Sequence, residues 1–205
     1  MIYKKIQNTP HERVNILHES LRWDGIFTDE EVDKIANYCN ALEKQSGQIS
    51  GDALINGEMR KSNVAFIRPD ANTAWIFNKI NNAIEIVNDR FFNFDLNGYS
   101  AIQYSEYHGD EGGKYEFHMD TSTGYENKEP EMRKLSLVMM LNKPGEDFEG
   151  GEFQINKAQE SKPDNIEMIK GRMIFFPSFF IHRVAPVTKG VRRSLVIWVT
   201  GPKFR

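Results

Sequence analysis

GRMIFFPSFFIHRVAPVTKGVRRSLVIWVT, residues 171–200, decides how the chain folds. Apolar runs are punctuated here by Gly171, Pro177 and Gly190. Runs this short, rich in β-branched and aromatic side chains and bounded by turn residues, read as strands. We place them at 172–176, 180–187 and 191–200. The last contains Leu195-Val196-Ile197-Trp198-Val199, apolar at every position, which implies a strand buried on both faces. Arg192 and Ser194 are two residues apart on that strand and share one face. An arginine at the end of such a strand is costly unless an anion meets it, and its planar fork suits a carboxylate. The other reading is an ion pair between Arg192 and a surface Asp or Glu.

Further strands are expected at 59–67, 99–104, 115–120, 134–141, 152–155 and 166–169, where alternating or fully apolar runs lie between turn-forming residues. Two helices precede most of them. Thr28 with Glu31 forms a capping box, and Val32, Ile35, Ala36, Cys39 and Leu42 follow at helical spacing, so a helix runs from 28 to about 45. Phe27 and Val32 are placed to staple its start. A second helix fits 72–91, with Trp75, Ile76, Ile80, Ala83, Ile84 and Val87 as its core-facing stripe. Residues 1–22 are polar, with His11 and His18 read as surface residues. The glycine-containing stretch 46–59 reads as a mobile loop, 121–132 as a loop facing a substrate, and 157–165 as a polar excursion. Helices first and strands second make one α+β domain over 1–205: helical support over about 1–95, and a two-sheet β-barrel or jelly roll over about 96–200.

A net charge of −3 and a pI near 6.0 offer no basic field for nucleic acid. Cys39 is the only cysteine, which removes a disulfide framework and a thiolate metal cage and suits a reducing compartment. The first 20 residues lack an apolar signal core, and no run approaches the roughly 18 apolar residues of a membrane span. The expectation is a soluble cytoplasmic protein with no membrane partner, from a bacterial or viral source. Oligomeric state is not legible.

Chemistry is carried by Tyr115-Glu116-Phe117-His118-Met119-Asp120. His118 and Asp120 at i and i+2 of a strand share one face. Chance alone gives about 0.3 such pairs in a chain of this composition, so the pair needs its context. His182 is the third candidate ligand. Two histidines and one carboxylate leave other positions on a metal open, as a non-haem Fe(II) oxygenase requires. Zinc accepts the same set, but it leaves Arg192 and Ser194 without a purpose, and no His-Glu-x-x-His motif is present. A metal with an arginine and a hydroxyl nearby suits a small dicarboxylate, one end on the metal and the other on Arg192.

The ordered pieces Tyr115-x-x-His118-x-Asp120, Leu135-Ser136-Leu137, Gly150-Gly151-Glu152, Gly171-x-x-x-x-Phe176-Pro177-Ser178, His182 with Pro186-Val187, and Gly190-x-Arg192 resemble the 2-oxoglutarate and Fe(II)-dependent dioxygenases, specifically the prolyl 4-hydroxylase-like group. The resemblance spans about 60–198. It implies a double-stranded β-helix core, with His118, Asp120 and His182 as iron ligands and Arg192 as partner of the distal 2-oxoglutarate carboxylate, assisted by Ser194. It places Tyr104 and Tyr115 beside the cosubstrate, with Tyr107 competing for the position of Tyr104, and Trp198 near the same pocket. It implies Fe(II), 2-oxoglutarate and O2 as requirements, L-ascorbate as reductant, and hydroxylation of a substrate C–H with release of succinate and CO2. The group's substrates are prolyl residues in peptides or proteins, and Arg60-Lys61-Ser62 resembles the stretch before its substrate-facing strand. Two departures stand out. Val138-Met139-Met140 lacks the cosubstrate-binding tyrosine of many animal relatives, so Arg192 and Ser194 carry more of that task. Arg193 sits beside Arg192, and strand alternation with the spacing to Trp198 favours Arg192. Alternatives are a hydroxylase of another amino acid or a small metabolite, a non-catalytic module of the same fold, and a nucleic-acid demethylase, against which the acidic balance argues.

Overall fold

The computed structural model describes residues 20–47, 59–121, 131–156 and 162–204. His11, His18, most of the 46–59 and 121–132 loops and the first half of the 157–165 excursion lie outside the described residues. In chain order the elements are β1 (Leu21–Trp23), α1 (Asp29–Asn40), β2 (Gln45–Ser46), β3 (Arg60–Lys61), β4 (Asn63–Ile67), α2 (Ala74–Val87) continued by a π-helical turn (Asn88–Phe92), β5 (Ile102–His108), β6 (Lys114–His118), β7 (Glu131–Met140), β8 (Phe148–Gly150), β9 (Phe153–Asn156), β10 (Asp164–Ile166), β11 (Met173–Pro177), β12 (Ile181–Val184) and β13 (Val187–Pro202).

These strands form two sheets. The larger runs β1-β11-β7-β13-β5-β4-β2, with β8 also paired to β13; the smaller runs β10-β9-β12-β6-β3. Every pairing between named strands is antiparallel. This is the expected double-stranded β-helix, a jelly roll of two facing sheets. The larger sheet is covered on both sides, which is why the central runs of β7, β11 and β13 are largely apolar on both faces. Leu135, Leu137, Met139, Met173, Phe175, Leu195 and Ile197 point toward α1 and α2. Val138, Met140, Ile174 and Phe176 point the other way, against Phe153, Ile155 and Val184 of the smaller sheet. The stretch expected to be helical support contributes β1 to β4 as well as the helices, so both sheets draw on it.

Helix α1 begins as its sequence specifies. The Glu31 backbone N–H donates to Thr28 Oγ1 at 3.3 Å, and the Thr28 N–H donates to Glu31 Oε2 at 2.9 Å. Phe27 and Val32 on either side of that cap are both buried in the helix-side core. Glu31 also holds Lys79 of α2 at 2.6 Å, so the cap ties the two helices together. Thr28→Ala is expected to destabilise the fold by about 1 kcal/mol, read as a lower urea midpoint with an unchanged slope; an unchanged midpoint contradicts the role of the cap.

Helix α1 stops at Asn40 rather than near 45, because Gln45 and Ser46 leave the helix to pair with Val64 and Asn63 at the sheet edge. Helix α2 starts after a turn in which Asp70 Oδ1 accepts from the backbone N–H groups of Asn72 and Thr73. It buries Ile76, Ile80, Ala83, Ile84 and Val87, each large aliphatic side chain contributing about 1.5–3 kcal/mol. Asn93, at φ 53°, turns the chain out of the π-helical segment. The strand expected at 99–104 instead begins at Ile102 and continues to His108, and β1 and β8 were not expected. No helix among the described residues is long and apolar enough to cross a membrane.

Candidate active site

Strands β6 and β12 are neighbours in the smaller sheet, and their pairing sets His182 directly opposite His118. The imidazole centroids are 4.2 Å apart. Asp120 follows two residues after β6 ends, anchored by its backbone N–H, which donates to the Ser178 carbonyl at 2.9 Å. Its Oδ1 lies 3.6 Å from His118 Nε2 and its Oδ2 lies 3.5 Å from His182 Nε2. One ligating atom from each of the three residues falls within a 4.8 Å cluster, the only such group of three or more His, Cys, Asp or Glu among the described residues.

The tautomers suit a cation. His118 Nδ1 is 2.8 Å from the Glu116 carbonyl and His182 Nδ1 is 2.8 Å from the Phe180 carbonyl. A carbonyl only accepts, so each Nδ1 carries a proton, which leaves Nε2 as the ring nitrogen to ligate a cation beside Asp120. Burial pushes His182 down to about 4, against the opposing pull of the Asp120 carboxylate. Burial alone would raise Asp120, but the two imidazoles and a Ser136 hydrogen bond outweigh it and hold the carboxyl well below the usual range. At neutral pH Asp120 is therefore a carboxylate and His182 a neutral imidazole, and with the His118 ring beside them they form a donor set that fits a divalent cation.

A consequence follows for the metal-free protein. The unfolded His182 takes up a proton near pH 6.5, whereas the folded one resists until about pH 4. Acid therefore favours the unfolded chain across that window, and Asp120 adds to the loss at lower pH. After chelation, stability by urea denaturation is expected to fall as pH is lowered from 6.5 toward 4; a flat profile contradicts it.

Arg192 lies across the cavity on β13 and is completely buried. Its Nε donates to the Gly151 carbonyl at 3.0 Å and its Nη1 to Ser194 Oγ at 3.1 Å, while Nη2 has no partner among the described residues. No carboxylate is paired with it among the described residues, which disposes of the surface ion pair. Burial pulls the guanidinium down to about 10, still charged at neutral pH. A buried cation with an unmet Nη2 amino group is costly, and a carboxylate is the group that would relieve it. Gly151 leaves room for this side chain: it sits at φ +68°, and a Cβ there would stand 2.9 Å from Arg192 Cδ. Arg193 faces the opposite side of the sheet, where its Nε lies 3.5 Å from Glu106.

Strand β5 corrects one expectation. Tyr104 does not border the cavity: its hydroxyl lies 2.7 Å from both Asn40 Oδ1 and Glu106 Oε1 on the helix side of the sheet. Alternation puts Gln103, Ser105 and Tyr107 on the other side. Tyr107 is paired with Arg192 across the strands, its ring centroid 5.5 Å from the guanidinium carbon. Gln103, Tyr107, Tyr115, Ser194 and Trp198 line the cavity with the His-Asp cluster and Arg192. Tyr115 stacks on His118 at 3.5 Å between centroids. Arg60 covers the outer face of Tyr115 at 4.7 Å. Trp198 lies under the Arg133 guanidinium at 4.1 Å, and its buried Nε1 has no partner among the described residues.

Gln103 and Arg133 carried no sequence signal beyond strand parity. Ser136 and Ser178 stood inside quoted motifs without a role. Ser136 Oγ donates to Asp120 Oδ2 at 2.7 Å and lies 2.8 Å from Ser178 Oγ.

A jelly roll carrying two histidines and an aspartate opposite a buried arginine defines a class of protein. Residues 102–200 match the family model of the 2OG-Fe(II) oxygenase superfamily. Among its relatives is a PKHD-type hydroxylase of Psychrobacter sp., 37% identical over 90 residues, which are 43% of this chain and 34% of that one. The chain thus spans about a third of that relative's length. Among solved structures, a Pseudomonas putida prolyl-4-hydroxylase superposes with a TM-score of 0.70 at 18% identity, over 91% of this chain and 94% of the other. A Trichoplax adhaerens prolyl hydroxylase, in complex with a peptide fragment of a hypoxia inducible factor, superposes with a TM-score of 0.69 at 20% identity, over 88% and 82%. At these identities the superpositions establish the prolyl-hydroxylase fold.

Proposed function

We propose that the chain is a 2-oxoglutarate- and Fe(II)-dependent dioxygenase that hydroxylates a prolyl residue in a peptide or protein. The observation that carries this reading is a three-ligand cluster and a fully buried arginine with an unmet N–H lining one cavity. That pair fits a dicarboxylate bound at both ends, and a zinc site has no use for the second half.

His118, Asp120 and His182 would hold Fe(II) through two Nε2 atoms and one carboxylate oxygen. Bound there with 2-oxoglutarate and O2, the metal supplies the oxidant that converts a substrate C–H to C–OH as 2-oxoglutarate becomes succinate and CO2. Arg192 and Ser194 receive the distal carboxylate, the guanidinium through its free Nη2, with the Tyr107 ring against its plane. Val138, Phe153, Val184 and Val196 form an apolar wall that keeps water from the reacting atoms. The Val-Met-Met stretch of β7 supplies no hydroxyl, so the anion depends on β13 and β5. Arg60, Tyr115 and Trp198 offer an aromatic and cationic surface near the ligand cluster for an extended peptide. The Trichoplax protein's bound peptide supports that choice by analogy of fold. L-Ascorbate is proposed as the reductant that restores Fe(II).

The test is succinate formation by purified protein with Fe(II), 2-oxoglutarate and ascorbate, with and without a proline-rich peptide, and mass spectrometry of the peptide. Peptide-stimulated turnover with a 16 Da gain on proline supports the reading. Turnover without peptide oxidation retains the oxygenase and rejects the prolyl substrate. No turnover and no 2-oxoglutarate binding reject both.

A further inference from the structure

Ser136 and Ser178 are both completely buried, and neither has a role in the scheme above. They stand in line behind Asp120: Ser136 Oγ is 2.7 Å from Asp120 Oδ2 and 2.8 Å from Ser178 Oγ. The direction of these bonds is determined. An ionised carboxylate only accepts, so the single Ser136 proton goes to Oδ2. Ser136 then has only lone pairs for Ser178, whose hydroxyl must be the donor between them. Ser178 also grips Asp120 through the backbone, since its carbonyl accepts from the N–H groups of Asp120 and Thr121 at 2.9 and 3.1 Å. Its own N–H donates to the Lys134 carbonyl at 2.9 Å, fastening the turn after β11 to strand β7.

We propose that Ser136 and Ser178 are positioning residues, a one-way hydrogen-bond relay that engages Asp120 Oδ2, fixes the rotation of the carboxylate and favours ligation through one of its oxygens rather than both. This rests on the metal site proposed above and adds what sets its coordination number. A carboxylate free to rotate can chelate with both oxygens and fill a position that a reaction needs open. Three features oppose that here: Oδ2 is committed to a hydroxyl, that hydroxyl is polarised by a second one, and the backbone on either side of Asp120 is held by the same serine. Partners of this kind typically change metal affinity 10- to 100-fold when removed. The relay also explains why polar residues sit at 136 and 178 amid apolar neighbours, where an unpaired hydroxyl would be destabilising.

The test is Co(II) binding to the full chain, by calorimetry and visible absorption, with circular dichroism as the check on folding. Relative to wild type, Ser136→Ala is expected to bind about 10-fold or more weakly, with an altered d–d spectrum. Ser136→Thr, which keeps the hydroxyl, is expected to restore both. Ser178→Ala keeps the Asp120 hydrogen bond but removes its polarising donor, and a smaller loss with a shifted spectrum is expected. A Ser136→Ala protein with wild-type affinity and spectrum overturns the proposal, as does a Ser136→Thr protein no better than alanine. If Ser136→Ala does not fold, an unchanged Ser178→Ala overturns the relay. Wild-type protein that fails to bind Co(II), or binds it equally as His182→Ala, overturns the metal site itself and the relay with it, a result distinct from normal wild-type binding with silent serine variants.

Discussion

His182→Ala is expected to abolish succinate formation and to weaken divalent-metal binding by more than about 100-fold, beyond the usual cost of losing a supporting residue. The reason is geometric. His182 is one of only three ligand atoms within the 4.8 Å cluster, and no other His, Cys, Asp or Glu among the described residues joins it. Its backbone lies directly across from His118, so the alanine variant keeps the strand pairing and loses the imidazole alone. A stability readout separates this from misfolding. A metal at about 100 times its dissociation constant stabilises the folded protein by about 2.7 kcal/mol, so wild type should gain thermal stability on adding metal and the variant should not. A variant that still responds to metal like wild type removes the assignment of this ligand.

Arg192→Met is expected to separate binding from stability in opposite directions. Loss of a hydrogen-bonded charge from a buried pair costs about 2–5 kcal/mol of binding, roughly a 30- to 5000-fold rise in the 2-oxoglutarate dissociation constant, while metal affinity stays near wild type. Without 2-oxoglutarate the same variant should be at least as stable as wild type. Its methionine fills similar volume and removes a buried cation whose Nη2 is unmet. Adding 2-oxoglutarate should raise the melting temperature of wild type and leave the variant unmoved. Wild-type 2-oxoglutarate affinity in the variant places the cosubstrate carboxylate elsewhere.

Much of this architecture is legible in the amino-acid sequence. The capping box at Thr28 and Glu31, the stripe from Ile76 to Val87 and the apolar run 195–199 are local patterns, each dictated by the period of the element that carries it. The facing of Arg192 with Ser194, and away from Arg193, followed from strand alternation alone. Where the reading failed, long-range pairing had prevailed over local preference. Residues 45–46 look like the continuation of a helix and are taken by a sheet edge. Residues 21–23 sit in a polar segment and become a strand because β11 offers them an unpaired edge.

Tyr104 marks the limit most clearly. Its type and spacing suited the cavity as well as those of Tyr107, and only the register between β5 and β13 decides which faces Arg192. By itself the amino-acid sequence determined most element types, the doubly buried strand and the candidacy of His118, Asp120, His182 and Arg192, because these depend on residue kind and short spacing. The tertiary structure alone decided which tyrosine meets the arginine, that Arg192 has no acidic partner among the described residues, and that two buried serines stand behind Asp120. Those facts depend on pairing between segments far apart in the chain, where a shift of one residue would exchange the faces of a strand.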